Sequence, residues 1–147
     1  MFAVDTSLIT CFAYVSLPSS RAITTYLTSI TIIGLPADPL PTTFDIWSTF
    51  SHLPNLEKIS LLKCRVTIMI NNFFLAFKYE PATVLCPRLK GLDLQDSYYD
   101  RQVLRDFLRE RREEDGVANI EWIRVVEGFF SEEMLEELRG YVKVFVD

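Results

Sequence analysis

Leu53-Pro-Asn-Leu56-Glu-Lys-Ile59-Ser-Leu61-Leu-Lys-Cys64-Arg-Val66 is the stretch that decides how this chain folds. Ile59 and Leu61 lie two apart, so both side chains leave the same side of an extended strand. Leu56 and Val66 fold in behind them as the chain enters and leaves that strand. Cys64, small and polarisable, suits the turn that follows and can bond weakly to its own backbone. One such window says little, because leucine is common; copies at a steady period say a great deal.

The copies are present. Leu89-Lys-Gly-Leu92-Asp-Leu94-Gln-Asp-Ser97 repeats the spacing with Ser97 in the place of Cys64. Ile120-Glu-Trp-Ile123-Arg-Val125-Val-Glu-Gly128 repeats it with aliphatic substitutes, and Leu27-Thr-Ser-Ile30-Thr-Ile32 gives its first half. The shared pattern, L-x-x-L-x-L-x-x-N/C-x-L, is that of a leucine-rich repeat, a short strand followed by a helical or irregular return. First positions at 27, 56, 89 and 120 give steps of 29, 33 and 31, longer than the usual ~20–29 residues. Such steps call for true helices or insertions on the return path. The expected fold is therefore α/β: one leucine-rich-repeat solenoid over 1–147, with a short curved parallel sheet of four to five strands. Helices cover its convex side, and residues 1–26 form an irregular N-terminal segment.

Composition bounds the function. The 147 residues are 49% hydrophobic and 13% aromatic, a core-forming mixture. A net charge of −5 argues against nucleic acid, whose phosphates need a concentrated basic surface. Cys11, Cys64 and Cys86 form no CxxC pair and read as reduced thiols of a cytoplasmic or nuclear protein. No apolar run approaches the ~20 residues that cross a membrane. Leu8–Leu17 is apolar enough for a signal-peptide core. Asp5 precedes it and no Lys or Arg does, so a strand or the remnant of an earlier repeat is expected instead.

Between the strands the chain reads as follows. Leu8–Val15 is a candidate edge strand and Pro18-Ser-Ser20 a turn, and the prolines of Gly34–Pro41 exclude helix and paired strand. A helix capped by Thr43 presents Ile46, Trp47, Phe50 and Leu53 on one face and ends at Pro54. Thr67–Glu80 is apolar nearly all round: a buried helix or packing segment, or an exposed patch that docks a partner. A helix over Asp100–Glu114, capped by Asp100 and closed by Asp115-Gly116, buries Val103, Leu104, Phe107 and Leu108. Its Arg101, Arg105 and Arg109 line up with carboxylates beside them, as on a solvated helix face; contact with an acidic partner is the alternative, which the flanking carboxylates disfavour. A last helix starts at Ser131, buries Met134, Leu135 and Leu138, and stops at Gly140. A strand follows in which Val142, Val144 and Val146 alternate with Tyr141, Lys143 and Phe145.

No enzyme is expected. The one histidine, His52, sits at a predicted helix end, where it caps carbonyls or meets solvent. Glycine-rich phosphate loops, metal spacings and paired buried acids are missing from the pattern, so neither cofactor nor metal is expected. The sheet face turned away from the helices offers a surface instead. Stacking the template gives one row of Ser29, Lys58, Gly91, Trp122 and Tyr141. A second holds Thr31, Ser60, Asp93, Arg124 and Lys143, and a third Ile33, Leu62, Gln95, Val126 and Phe145. Asp93 should pair with Arg124, and Trp122 with Tyr141. Such pairs either stabilise the sheet alone or anchor a partner, and Trp, Tyr and Arg are frequent anchors. The candidate partner-binding residues are Lys58, Ser60, Asp93, Gln95, Trp122, Arg124, Tyr141 and Lys143.

From Thr43 onward, about two-thirds of the chain resembles the C-terminal repeats of fungal F-box-type leucine-rich-repeat proteins. The stretches that carry the resemblance are Phe50-Ser-His-Leu-Pro-Asn-Leu-Glu-Lys-Ile59, Cys86-Pro-Arg-Leu-Lys-Gly-Leu-Asp-Leu94 and Glu133-Met-Leu-Glu-Glu-Leu-Arg-Gly-Tyr-Val142. In that family an F-box docks to a cullin-based ubiquitin ligase and the repeats hold the substrate. The resemblance thus implies a protein partner that is a ubiquitination substrate. The N-terminus shows no Leu-Pro-x-Glu helix start of the F-box kind. A stand-alone binding module and a truncated product without activity are the alternatives.

Overall fold

The computed structural model describes the backbone of residues 2–4 and, in full, residues 26–34, 42–80 and 82–147. Its frame is a single sheet of six parallel strands lying in chain order. These are β1 (Phe2–Val4), β2 (Ser29–Ile33), β3 (Lys58–Leu62), β4 (Gly91–Asp93), β5 (Trp122–Val125) and β6 (Lys143–Val146). Parallel neighbours need crossovers, and the later ones are supplied by α1 (Thr43–Phe50), α2 (Thr67–Ala76), α3 (Arg101–Glu113) and α4 (Glu132–Arg139). The architecture is α/β, with six described strands against the four to five expected. The expected edge strand at Leu8–Val15, the turn at Pro18–Ser20 and the loop through Leu35–Pro41 lie outside the described residues. The first strand that is described pairs Phe2 with Ile30.

Register puts Ile30, Ile59, Leu92, Ile123 and Val144 side by side on successive strands. With Ile32, Leu61, Leu94 and Val125 they form one aliphatic face, and most are wholly excluded from solvent. The four described helices press their apolar residues onto that face: Ile46 and Phe50, then Phe73 and Phe74, then Leu104 and Phe107, then Leu135 and Leu138. Burying each such side chain contributes about 1.5–3 kcal/mol, and this drives the layer to form.

The backbone repeats as well. The carbonyls of Thr28, Glu57 and Lys90 each accept two amides from the start of the next strand: Glu57 and Lys58, Lys90 and Gly91, Glu121 and Trp122. Four residues past Ile30, Ile59 and Leu92, the chain turns through Gly34, Lys63 and Asp96 at φ +62°, +57° and +52°. That left-handed corner suits glycine; Lys63 and Asp96 adopt it at a conformational cost. Ser97 then fastens one turn to the one before it. Its buried hydroxyl donates to the Leu61 carbonyl (2.7 Å) and accepts from the Cys64 amide (3.0 Å).

Several local expectations shift. Thr42, not Thr43, caps α1, through a capping box with Asp45, and the helix ends at Phe50, ahead of Pro54. α2 has no side-chain cap; burial of Met69, Ile70, Phe73 and Phe74 holds it, with Ile68 and Leu75 left exposed. Asp100 caps α3 as expected, but Glu114 is already extended, so the left-handed Gly116 follows the helix end and does not close it. α4 is capped by Ser131 and ends on Gly140 in the right-handed region.

Candidate functional site: the open face of the sheet

Strand alternation sends Ser29, Lys58, Gly91, Trp122 and Lys143 to the side opposite the aliphatic core, as one row across β2–β6. A second row holds Thr31, Ser60, Asp93, Arg124 and Phe145. The expected rows therefore hold through β5 and slip by two residues on β6. Lys143 stands beside Trp122 where Tyr141 was expected, and Phe145 stands beside Arg124 in place of Lys143. The cause is the end of α4. The amides of Tyr141 and Val142 both bond to the Leu138 carbonyl, so the helix turn uses up these residues and the strand begins later. Tyr141 packs half-buried against the core and leaves the candidate site. A slip of two preserves the face, so Phe145 enters the site with its ring outward.

Gly91 shapes what stands above it. A Cβ built there would lie 2.3 Å from the Trp122 ring, so the indole lies directly across the glycine. Only a residue without a side chain lets the ring settle there. Lys58, one strand further on, holds its ammonium 5.6 Å from the Trp122 ring centroid. On the other flank Phe145 meets Trp122 edge-to-face, centroids 6.2 Å apart. Lys143 places its ammonium 4.9 Å from the Phe145 centroid, and the Arg124 guanidinium lies 5.9 Å from it. Cations lie against both rings.

Arg124 is fixed by carboxylates too. It stands 3.3 Å from Asp93, the pair expected from sequence, and 3.3 Å from Asp147. The Gln95 side-chain amide donates to Asp147 as well. Asp93 and Ser60 are nearly closed to solvent at 5% and 2%, so they form the floor of the face, not its contact surface. What a partner could touch is Lys58, Trp122, Arg124, Lys143, Gln95 and Phe145.

Cations facing the helices behave differently. Arg105 of the expected solvated row reaches Glu137 on α4 at 3.1 Å and Gln102 on its own helix, Arg101 donates to the Phe129 carbonyl, and Arg109 pairs within the helix with Asp106. Lys78 reaches Glu110 at 2.7 Å. Arg111, which the sequence reading passed over, is buried against Phe77 and donates to the Leu85 and Cys86 carbonyls. Burial lowers its pKa, with Cys86 and Glu114 opposing, and burial pushes the Cys86 thiol up to about 12. Its signal lay in the spacing Leu104, Phe107, Leu108, Arg111, which continues the buried stripe at i, i+3, i+4, i+7.

Among the described residues no group of three or more His, Cys, Asp or Glu converges as metal ligands, and His52 is exposed beyond the end of α1. No described helix is long and apolar enough to cross a membrane. Compared with protein-family models, curated proteins and solved structures, the chain matches none.

Proposed function

We propose that the chain is a leucine-rich-repeat scaffold, and that the open face of its sheet holds a protein partner. One observation carries this. Trp122 is laid across Gly91 on the side where no core needs it, with Lys58 and Phe145 against it and with Arg124 and Lys143 against Phe145. A large aromatic body fixed in place, with a basic rim, is the composition of an interface anchor. The register of β2–β5 and the repeated corner at Gly34, Lys63 and Asp96 support the solenoid reading.

The narrower proposal is that the partner is a substrate held for ubiquitin ligation, with the chain acting as the recognition repeats of an F-box-type adaptor in the cytoplasm or nucleus. It draws on the resemblance of the repeats alone. The test is proximity labelling in cells with the wild-type chain, with Trp122→Ala plus Arg124→Ala, and with Arg109→Ala on the helix side. Neighbours lost with the first variant and kept with the second are expected. Ubiquitin-ligase subunits among all three sets would support the adaptor; their absence would favour a stand-alone binding module. An identical set of neighbours for all three proteins would sink the binding face itself.

A further inference from the structure

The electrostatics of this face narrow the chemistry of what it binds. The chain as a whole is acidic, at −5, yet its open face presents Lys58, Arg124 and Lys143 against Asp93 and Asp147. Arg124 engages both of those carboxylates. Lys58 and Lys143 have no carboxylate partner among the described residues, and each has an aromatic face beneath it. A ring face is a weaker partner for an ammonium than a carboxylate, and the desolvation cost of using it is small. Two ammonium groups therefore remain available, one on each side of Trp122 in the same row.

Resting on the binding-face reading, we infer that the partner is an acidic peptide segment that sets one carboxylate on Lys58 and another on Lys143, with an apolar side chain between them on the Trp122–Phe145 rings. Spacing makes this specific. Lys58 and Lys143 lie three strands apart, so their backbones stand about 14 Å from each other. An extended peptide rises ~3.4 Å per residue, so its residues i and i+4 span that distance. Period-two alternation puts i, i+2 and i+4 on one side of such a peptide. Acid, apolar and acid at those three positions would then meet Lys58, the ring pair and Lys143 in order. Phosphate backbones fit less well, because two free ammonium groups release few counterions and the rest of the molecule repels a polyanion.

The test titrates the full chain carrying Trp47→Phe, which leaves Trp122 as the single tryptophan reporter. The probes are a peptide containing Glu-Ser-Leu-Ser-Glu, its Gln-Ser-Leu-Ser-Gln counterpart, a form with the two glutamates adjacent, and a deoxythymidine oligonucleotide. The expected result is a saturable change in Trp122 emission with the first peptide. Affinity should fall about tenfold or more for the glutamine form, for Lys58→Glu and for Lys143→Glu, and should fall further between about 50 and 500 mM salt. Arg88→Glu, an exposed charge reversal off this face, should leave it unchanged. Equal binding of the glutamine peptide or the oligonucleotide would overturn the inference. So would an Arg88→Glu loss as large as that of Lys58→Glu, or a Trp122 emission that no peptide moves. If proximity labelling still depends on Trp122 and Arg124 when the acidic peptide fails, the face binds a partner of other chemistry; if neither responds, both proposals fall.

Discussion

On the helix-covered side of the molecule charge is settled locally: Arg105 reaches Glu137, Lys78 reaches Glu110, and Arg139 holds Glu132 and Glu136. On the open side of the sheet Lys58 and Lys143 rest on aromatic rings, and a tryptophan covers a glycine. The same strands, β2–β6, carry both arrangements. Aliphatic side chains facing the helices are there to exclude water, and any of several would do. The outward residues answer to no core, so their choice is free to follow a ligand. This difference can be tested by perturbing each side and asking which property moves.

The largest effect should come from the covered side. Leu92→Ala or Ile59→Ala removes a fully buried side chain at the centre of the sheet. Either should lower unfolding free energy by about 2–5 kcal/mol in urea denaturation, because the neighbours collapse only partly into the space. The binding proposed for the open face should persist in whatever fraction stays folded. A loss below about 1 kcal/mol would mean these ribs are not where the stability lies.

Ser97 joins adjacent turns, and its loss should be felt next. Ser97→Ala leaves the buried Leu61 carbonyl and Cys64 amide without the hydroxyl that serves both. A cost of about 1–3 kcal/mol is expected, measured the same way. Ser97→Cys, which restores the residue type found at position 64, should recover part of it.

Alkali probes the covered side by another route. Burial raises the Cys86 thiol from 9.0 to about 12, with Arg111 opposing, and raises the Tyr99 hydroxyl as well. Folded Cys86 therefore keeps its proton where the unfolded chain has lost it. Its contribution is complete below pH ~9 and declines by up to about 1.4 kcal/mol per pH unit until pH ~12. Urea midpoints measured across that window should fall less steeply in Cys86→Ala than in the parent. Parallel slopes would mean the thiol is not sealed in.

How far the sequence spoke for each side follows from the same difference. Aliphatic residues at i and i+2, recurring near 30 residues apart, placed β2–β5 and their register, because burial leaves only one solution to that spacing. Val142, Val144 and Val146 alternate just as well, yet the strand starts at Lys143, since the closing turn of α4 takes the Tyr141 and Val142 amides. Hydrogen bonding at a helix end leaves no mark on hydrophobic period. Asp93 and Arg124 were legible as neighbours once the register was known. The Trp122 ring over Gly91 was not, because a template records which residues are adjacent and not how far a side chain leans. Arg111 was missed for the opposite reason: its charge argued for solvent while its position argued for the core.

The smallest change bears most directly on the comparison. Gly91→Ala adds one methyl group at a strand position on the open face. There it would meet the Trp122 ring at 2.3 Å, so the ring has to move. Two effects on stability oppose each other. Alanine in a strand gains about 0.5–1 kcal/mol over glycine by restricting the unfolded chain, and lifting the indole loses contact of similar worth. Net stability should stay within about 0.5 kcal/mol, since nothing on the aliphatic side is disturbed. Trp122 itself should change clearly: in a Trp47→Phe background its emission should become more open to acrylamide quenching, and the Lys58 ammonium should lose its ring. A variant that unfolds would show that the indole braces the sheet, making the open face as structural as the covered one. A stable variant with an exposed Trp122 would show that the ring is held in place for something other than the fold.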